Sequence, residues 1–219
     1  MNLFPKNILP TKEVKKFIVI FYTVGILGFI IPWTHNLFII LTTYALLLST
    51  YLLLLYHENY SKKDILVFSA IAVLGFFVEV LGVNTGLIFG SYKYGEGLGI
   101  KLFQTPLLIG VNWLFLTYTA LSISDKITKN TYLQLIIAPT LMIVYDMVME
   151  QLAPIMNMWS WAGSSIPMKN YIAWWLLGFL FTGILKRFKI NTNNPLALLL
   201  FICQFIFFVV LLIYYTLLK

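Results

Sequence analysis

Charge is what this chain has least of. Only 11% of its 219 residues are charged and 60% are hydrophobic, whereas a soluble domain carries about 25% charge. That balance excludes a free-standing soluble domain and asks most of the chain to lie in a bilayer. Cysteine is almost absent: Cys203 stands alone, so no intrachain disulfide can form. The two histidines, His35 and His57, fall in separate connections on opposite sides of the expected bundle. That excludes a haem-ligating pair and the multi-histidine pattern of membrane diiron enzymes. The sequence has no aspartate-rich magnesium motif, no P-loop and no dinucleotide fingerprint. Its serines have no histidine in a triad-like context. Redox and phosphoryl-transfer chemistry drop out, leaving acid–base chemistry with no cofactor and no metal. The net charge of +7 fits lysines flanking membrane helices beside anionic headgroups. Nucleic acid is not an expected partner, because no basic recognition motif accompanies the charge.

What is present is a series of apolar runs of membrane-spanning length. Seven helices are expected, roughly at Phe17–Trp33, Leu37–Tyr56, Ile65–Val83, Pro106–Ile123, Tyr132–Met149, Tyr171–Leu185 and Leu196–Leu218. Pro32-Trp33 follows the first run where a signal peptide would need small residues, so this run reads as an uncleaved helix. The fold class is all-α, a polytopic membrane helix bundle of one domain over 1–219. With the N-terminus cytoplasmic, eleven basic residues lie inside and four outside (Lys93, Lys101, Lys169 and Lys219), as the positive-inside rule requires. The long connections, 84–105 and 150–170, then both fall on the outer side. Long loops in a compact protein are more often functional than short ones.

Five of the eight acidic residues lie in tails or connections, which leaves Glu79, Asp146 and Glu150 in the apolar segments. An ionisable side chain at the bilayer centre costs about 2.5–3.5 kcal/mol on insertion scales, so by default it marks a functional site. Asp146 and Glu150 are four apart and share one helix face. All three sit near the outer interface, with no lysine, arginine or histidine inside the spans to pair with them. A carboxyl in apolar surroundings favours its neutral form, and two sharing a site do not readily both ionise. Such acids hold a proton at neutral pH and can donate it. Glu150, at a helix end, reads equally well as a solvated residue.

Just beyond Glu79, six of the thirteen glycines fall between Gly82 and Gly99. Glycine permits tight turns and close backbone approach at the cost of side-chain packing. Four of the six tryptophans fall between Trp159 and Trp175. Interfacial tryptophans are ordinary belt residues, but clustered ring faces also attract cations. Tyr92, Tyr94 and Trp113 are expected at the same level. An acid beside aromatic faces suits a carbocation intermediate: a proton source, then a dry surface that stabilises positive charge.

The run Glu79-x-x-Gly-x-x-Thr-Gly-x-x-Phe-Gly-x-Tyr-x-Tyr94 continues with Leu98-Gly99-x-Lys-Leu-Phe, Pro106-Leu-Leu-Ile and Asn112-Trp113. It resembles the membrane carotenoid hydratases, which include carotenoid 1,2-hydratases and the haloarchaeal bisanhydrobacterioruberin hydratase. Asp146, Trp159-x-Trp161, Ile166-Pro167-x-x-Asn170-Tyr171 and Trp174 extend the similarity, which covers about 75–178. The flanking helices match in hydropathy alone. The resemblance implies redox-neutral addition of water across the terminal double bond of an acyclic ψ-end group, giving a tertiary alcohol. Asp146 or Glu79 would protonate the less substituted alkene carbon, and Glu150 or Glu79 would take a proton from the attacking water. Asn112, Asn170, Tyr92 and Tyr94 would hold that water, and Trp113, Trp159, Trp161 and Trp174 would face the cation. The expected partners are a carotenoid from the lipid phase, water and membrane lipids, and a homo-oligomer is compatible with all of this. The expected location is the bacterial inner membrane. A proton-coupled transporter, another polyprenyl-modifying enzyme and a carotenoid-binding protein are the competing readings.

Overall fold

The structure, a computed structural model, describes residues 3–163 and 165–218. Lys219, counted above among the outer lysines, lies outside the described residues. Among the described residues, seven α-helices account for most of the structure: α1 Thr11–Ile30, α2 His35–Leu55, α3 Lys62–Thr85, α4 Leu108–Ile127, α5 Thr131–Leu152, α6 Met168–Arg187 and α7 Ala197–Ile213. A five-residue π-helical turn, Tyr214–Leu218, prolongs α7. Four helices are long and apolar enough to cross a membrane: α2, α3, α5, and α7 with its extension. Many of their large apolar side chains point outward, among them Leu41, Leu66, Leu81 and Ile136. Such a surface suits lipid rather than water.

The helix ends follow local chemistry. Ser61 and Asp64 form a reciprocal capping box that starts α3, with Ser61 N–H donating to Asp64 at 2.7 Å. Asn130 caps α5 by accepting from the N–H groups of Tyr132 and Leu133 at 2.9 and 3.3 Å. Gly86 stops α3 at φ +65°, a left-handed conformation that glycine adopts at no steric cost.

Helix α4 is the axis of the bundle. Fifteen of its twenty residues are buried, and it packs against α2, α3, α5, α6 and α7. A helix enclosed on nearly every side has apolar residues all round, and α4 runs Leu-Ile-Gly-Val-Asn-Trp-Leu-Phe-Leu from its first residue. Gly75 on α3 lets it approach closely, since a Cβ there would lie 2.7 Å from the Cβ of Trp113.

The two long connections contain strands, a departure from the all-helical expectation. Strands β1 (Tyr92–Tyr94) and β4 (Trp159–Trp161) pair antiparallel, with Tyr92 opposite Trp161, Lys93 opposite Ser160 and Tyr94 opposite Trp159. Lys101–Leu102 (β2) and Thr105–Pro106 (β3) form a second short pair just before α4. Loops 67 residues apart at Lys93 and Ser160 are thus tied into one cap over the ends of α3, α4, α5 and α6.

Candidate active site

Beneath that cap lie the three expected carboxyls, and none of them is solvated. Glu79 and Glu150 are each 3% exposed and Asp146 is 0% exposed, so Glu150 is a buried group and not a helix-end residue in water. They do have partners, all of them neutral. Tyr92 and Tyr94 hydroxyls both donate to Glu79 Oε2, at 2.6 and 2.7 Å. The Trp113 indole donates to Oε1 at 3.0 Å. On the facing side, the Trp159 and Trp161 indoles both donate to Glu150 Oε2, at 2.9 and 2.7 Å. Asn170 Nδ2 bridges the two acids of α5, donating to Glu150 Oε1 at 3.1 Å and to Asp146 Oδ2 at 3.2 Å. Asp146 Oδ1 has no hydrogen-bond partner among the described residues.

The local sequence explains this convergence. Alternate residues of a strand point to one face, so Tyr-Lys-Tyr and Trp-Ser-Trp each send two aromatic residues inward. The register then sets Tyr92 against Trp161, ring centres 5.1 Å apart, and Tyr94 against Trp159 at 6.2 Å. Their polar tips reach Glu79 from one strand and Glu150 from the other. Burial, then the neighbouring Glu79 carboxyl, pushes the Tyr92 and Tyr94 phenols up, which keeps both as donors. Trp174 stacks on Trp113 at 4.2 Å and 26°, fixing the third donor to Glu79.

Between the two glutamates is a cavity of about 20 Å³, lined by Glu79, Glu150, Tyr92, Tyr94, Trp159, Trp161, Asn170, Trp174, Phe89 and Ile109. A single water needs about 10–15 Å³ of such space and two to four polar partners, so the cavity fits one water between two carboxyls. Three expected site residues stand outside it. Trp113 does not line the cavity and reaches it through its hydrogen bond to Glu79. Asp146 does not line it and reaches the site through Asn170. Asn112 faces a second, larger cavity on the other side of Ile109 and Trp159. Phe89 and Ile109 were not expected as wall residues. Phe89 sits inside the glycine-rich run, and its place against Gly82 depends on the fold of that loop.

A family described as "Carotenoid biosynthesis protein" matches residues 34–218. The match takes in every helix except α1, well beyond the 75–178 segment that carries the resemblance. No curated protein and no solved structure matches the chain.

Proposed function

The chain belongs to the carotenoid biosynthesis protein family, and from that premise we propose that it is a membrane-embedded hydratase. It adds water to the terminal double bond of an acyclic carotenoid end group. One observation carries this reading: a water-sized cavity held between two buried carboxyls and walled by aromatic rings. Enzymes that isomerise or cyclise prenyl chains share cation chemistry but have no use for a water site beside a base.

The hydrogen bonds divide the acids into two units. Glu79 has three donors and no acidic hydrogen-bonding neighbour, an arrangement that suits the carboxylate. Glu150 and Asp146 share one amide donor from Asn170, an arrangement that suits a pair holding a single proton. Glu150, the member of that pair that lines the cavity, delivers the proton to the less substituted alkene carbon. The π electrons form the new C–H bond, and positive charge is left on the tertiary carbon. Ring faces of Trp159, Trp161 and Trp174 stabilise that charge, a desolvated cation–π contact being worth about 2 kcal/mol or more. The water in the cavity attacks the cation, and Glu79 takes the proton it releases. The next water to occupy the cavity touches both glutamates and returns that proton to the Glu150–Asp146 pair. Alkene and water thereby become a tertiary alcohol with no change in redox state. Asp146 is a positioning and proton-storing residue here, not the acid that meets the substrate.

In this reading all seven helices cross the membrane and the N-terminus is cytoplasmic. The strand cap then lies at the outer interface, with the inner membrane of a bacterium as its setting. Family membership and carboxyls gathered at one end of the bundle give a transporter no support, since carriers place such groups near the midplane.

The test is expression in a host that accumulates a carotenoid with acyclic ends, followed by mass spectrometry of the pigments. The expected product is heavier by one water. Unchanged pigment in the presence of well-inserted protein overturns the proposal.

A further inference from the structure

A second cavity is larger than the acid pocket. It measures about 300 Å³ and lies among α1, α2, α4 and α7. Its walls are mostly hydrocarbon, with Phe29, Phe38, Leu108, Phe207 and Phe208 prominent. Three features of this chamber point to one kind of occupant.

The first is its mouth. Val24 on α1 and Tyr44 on α2 line the chamber and are also 50% and 63% exposed. The chamber therefore opens between α1 and α2 onto the apolar outer surface, where the neighbours are acyl chains. The second is its far wall. Ile109 and Trp159 line both this chamber and the acid pocket, so a chain lying in the chamber has its tip two side chains from Glu79 and Glu150. The third is its polar inventory. Tyr22 and Gln204 also face the chamber, but their polar groups are committed to the protein. Tyr22 bonds Ser49 at 2.8 Å and Gln204 at 3.3 Å, and Gln204 donates to Tyr145 at 2.7 Å. Asn112 is 5% exposed and makes no side-chain hydrogen bond among the described residues. A buried amide without a partner costs about 1–3 kcal/mol, a cost that a ligand oxygen at that position relieves.

We propose that this chamber binds the terminal isoprenoid segment of a carotenoid that arrives sideways from the lipid, and that Asn112 hydrogen-bonds the hydroxyl of the product. The hydrocarbon part rests on family membership and on the acid pocket as the reaction site. Only the role of Asn112 rests on hydration. Gly25 sets the width of the chamber: a Cβ there meets Phe207 at 3.3 Å, and any larger side chain projects into the space. Ala45 lies across from it on α2.

The experiment uses purified full-length protein in nanodiscs, titrated with a polyene that has acyclic ends, with quenching of tryptophan emission as the readout. Gly25→Phe is expected to weaken binding at least tenfold, and Glu79→Gln, which leaves the chamber intact, is expected to bind as the wild type does. In a second arm, Ala45→Cys in a Cys203→Ala background reports occupancy without bulk. Its labelling by a membrane-permeant maleimide should slow at least tenfold when polyene is bound. Asn112→Leu should lose affinity for the hydroxylated polyene and keep it for the parent hydrocarbon. Full-rate labelling at saturating polyene, or wild-type affinity in Gly25→Phe, overturns the chamber assignment even if the wild type hydrates its substrate. Protection at position 45 together with no water addition upholds the chamber and defeats the hydratase reading instead. Equal loss of both ligands in Asn112→Leu overturns the hydroxyl contact alone.

Discussion

Each carboxyl oxygen has two lone pairs, and the donors around Glu79 and Glu150 use them unevenly. In both residues Oε2 accepts two hydrogen bonds and Oε1 accepts one. A proton carried by either glutamate therefore sits on Oε1. The same donors stabilise the anion left behind, so they make each group a better acid once protonated. Replacing Glu79 or Glu150 by Gln removes the proton-transfer group, and turnover should fall by about 10²–10⁴-fold, read as hydrated pigment per unit of inserted protein. Asp146→Asn keeps the contact to Asn170 and removes only the stored proton. Its expected effect is a smaller fall in kcat, a shifted pH–rate profile and an unchanged KM. Tyr92→Phe takes one hydroxyl from Glu79; a hydrogen bond to a charged group is worth about 1.5–3 kcal/mol, so the loss in rate is about 10–100-fold. The phenols add a pH dependence of their own. They ionise near 10 when unfolded and only at higher pH when buried. Above that value the unfolded state releases protons that the folded state keeps, so stability is full below pH 10 and declines as pH rises beyond it. Thermal unfolding in detergent should show this decline, and it should be shallower in Tyr92→Phe.

Two three-residue strands do what no helix here could do, which is to bring four aromatic side chains from distant loops onto two carboxyls. The hydrogen bonds Ala162 to Ser91 and Gly95 to Met158, at 2.9 and 2.8 Å, bracket the ladder. By the alternation of an antiparallel pair, Tyr92–Trp161 and Tyr94–Trp159 are then the non-hydrogen-bonded pairs, in which side chains stand closest. Ser160→Pro removes a ladder N–H at the centre of β4. Although Ser160 touches no carboxyl, this change should depress turnover as far as Glu79→Gln does. It should also shift tryptophan emission to the red as Trp159 and Trp161 leave their acceptor. The helices were legible in the sequence because a membrane span is announced by length and hydropathy, and the i,i+4 spacing of Asp146 and Glu150 fixed their shared face. The chemical types that gather there were legible too: acids, indoles and phenols at one end of the bundle. The pairing was not. Tyr-Lys-Tyr and Trp-Ser-Trp carry the period-two signal of a strand, but three residues are too few to be told from a loop, and nothing local says that 92 faces 161. Asn112 was misplaced for a related reason: it adjoins Trp113, which bonds Glu79, yet consecutive helix residues point about 100° apart, and Asn112 faces the larger cavity instead. The large chamber was invisible because it is a gap among four helices whose apolar residues look like ordinary core.

Across the whole molecule, apolar surface, charge and site lie along one axis. The strand cap and the acid pocket occupy the end of the bundle where α3 and α5 finish and α4 and α6 begin. Most of the lysines and the arginine collect at the opposite end, where Lys186 pairs with Asp125 at 3.1 Å and Thr192 donates to the same carboxyl at 2.6 Å. Basic residues favour the cytoplasmic face, so the proposed orientation has the acid pocket at the outer interface and the chamber mouth in the lipid. The orientation is open to a direct check. In a Cys203→Ala background, Lys93→Cys on the strand cap and Lys129→Cys between α4 and α5 place one thiol at each end, both on exposed positions. An impermeant maleimide added to intact cells should label position 93 and spare position 129, and inverted membrane vesicles should reverse the pattern. Labelling of both positions from one side would mean an even number of crossings between them. Residues 94–128 contain a single long helix, α4, so that result would show that α4, the most deeply enclosed helix of the bundle, does not cross the membrane at all, and the outward placement of the acid pocket would fall with it.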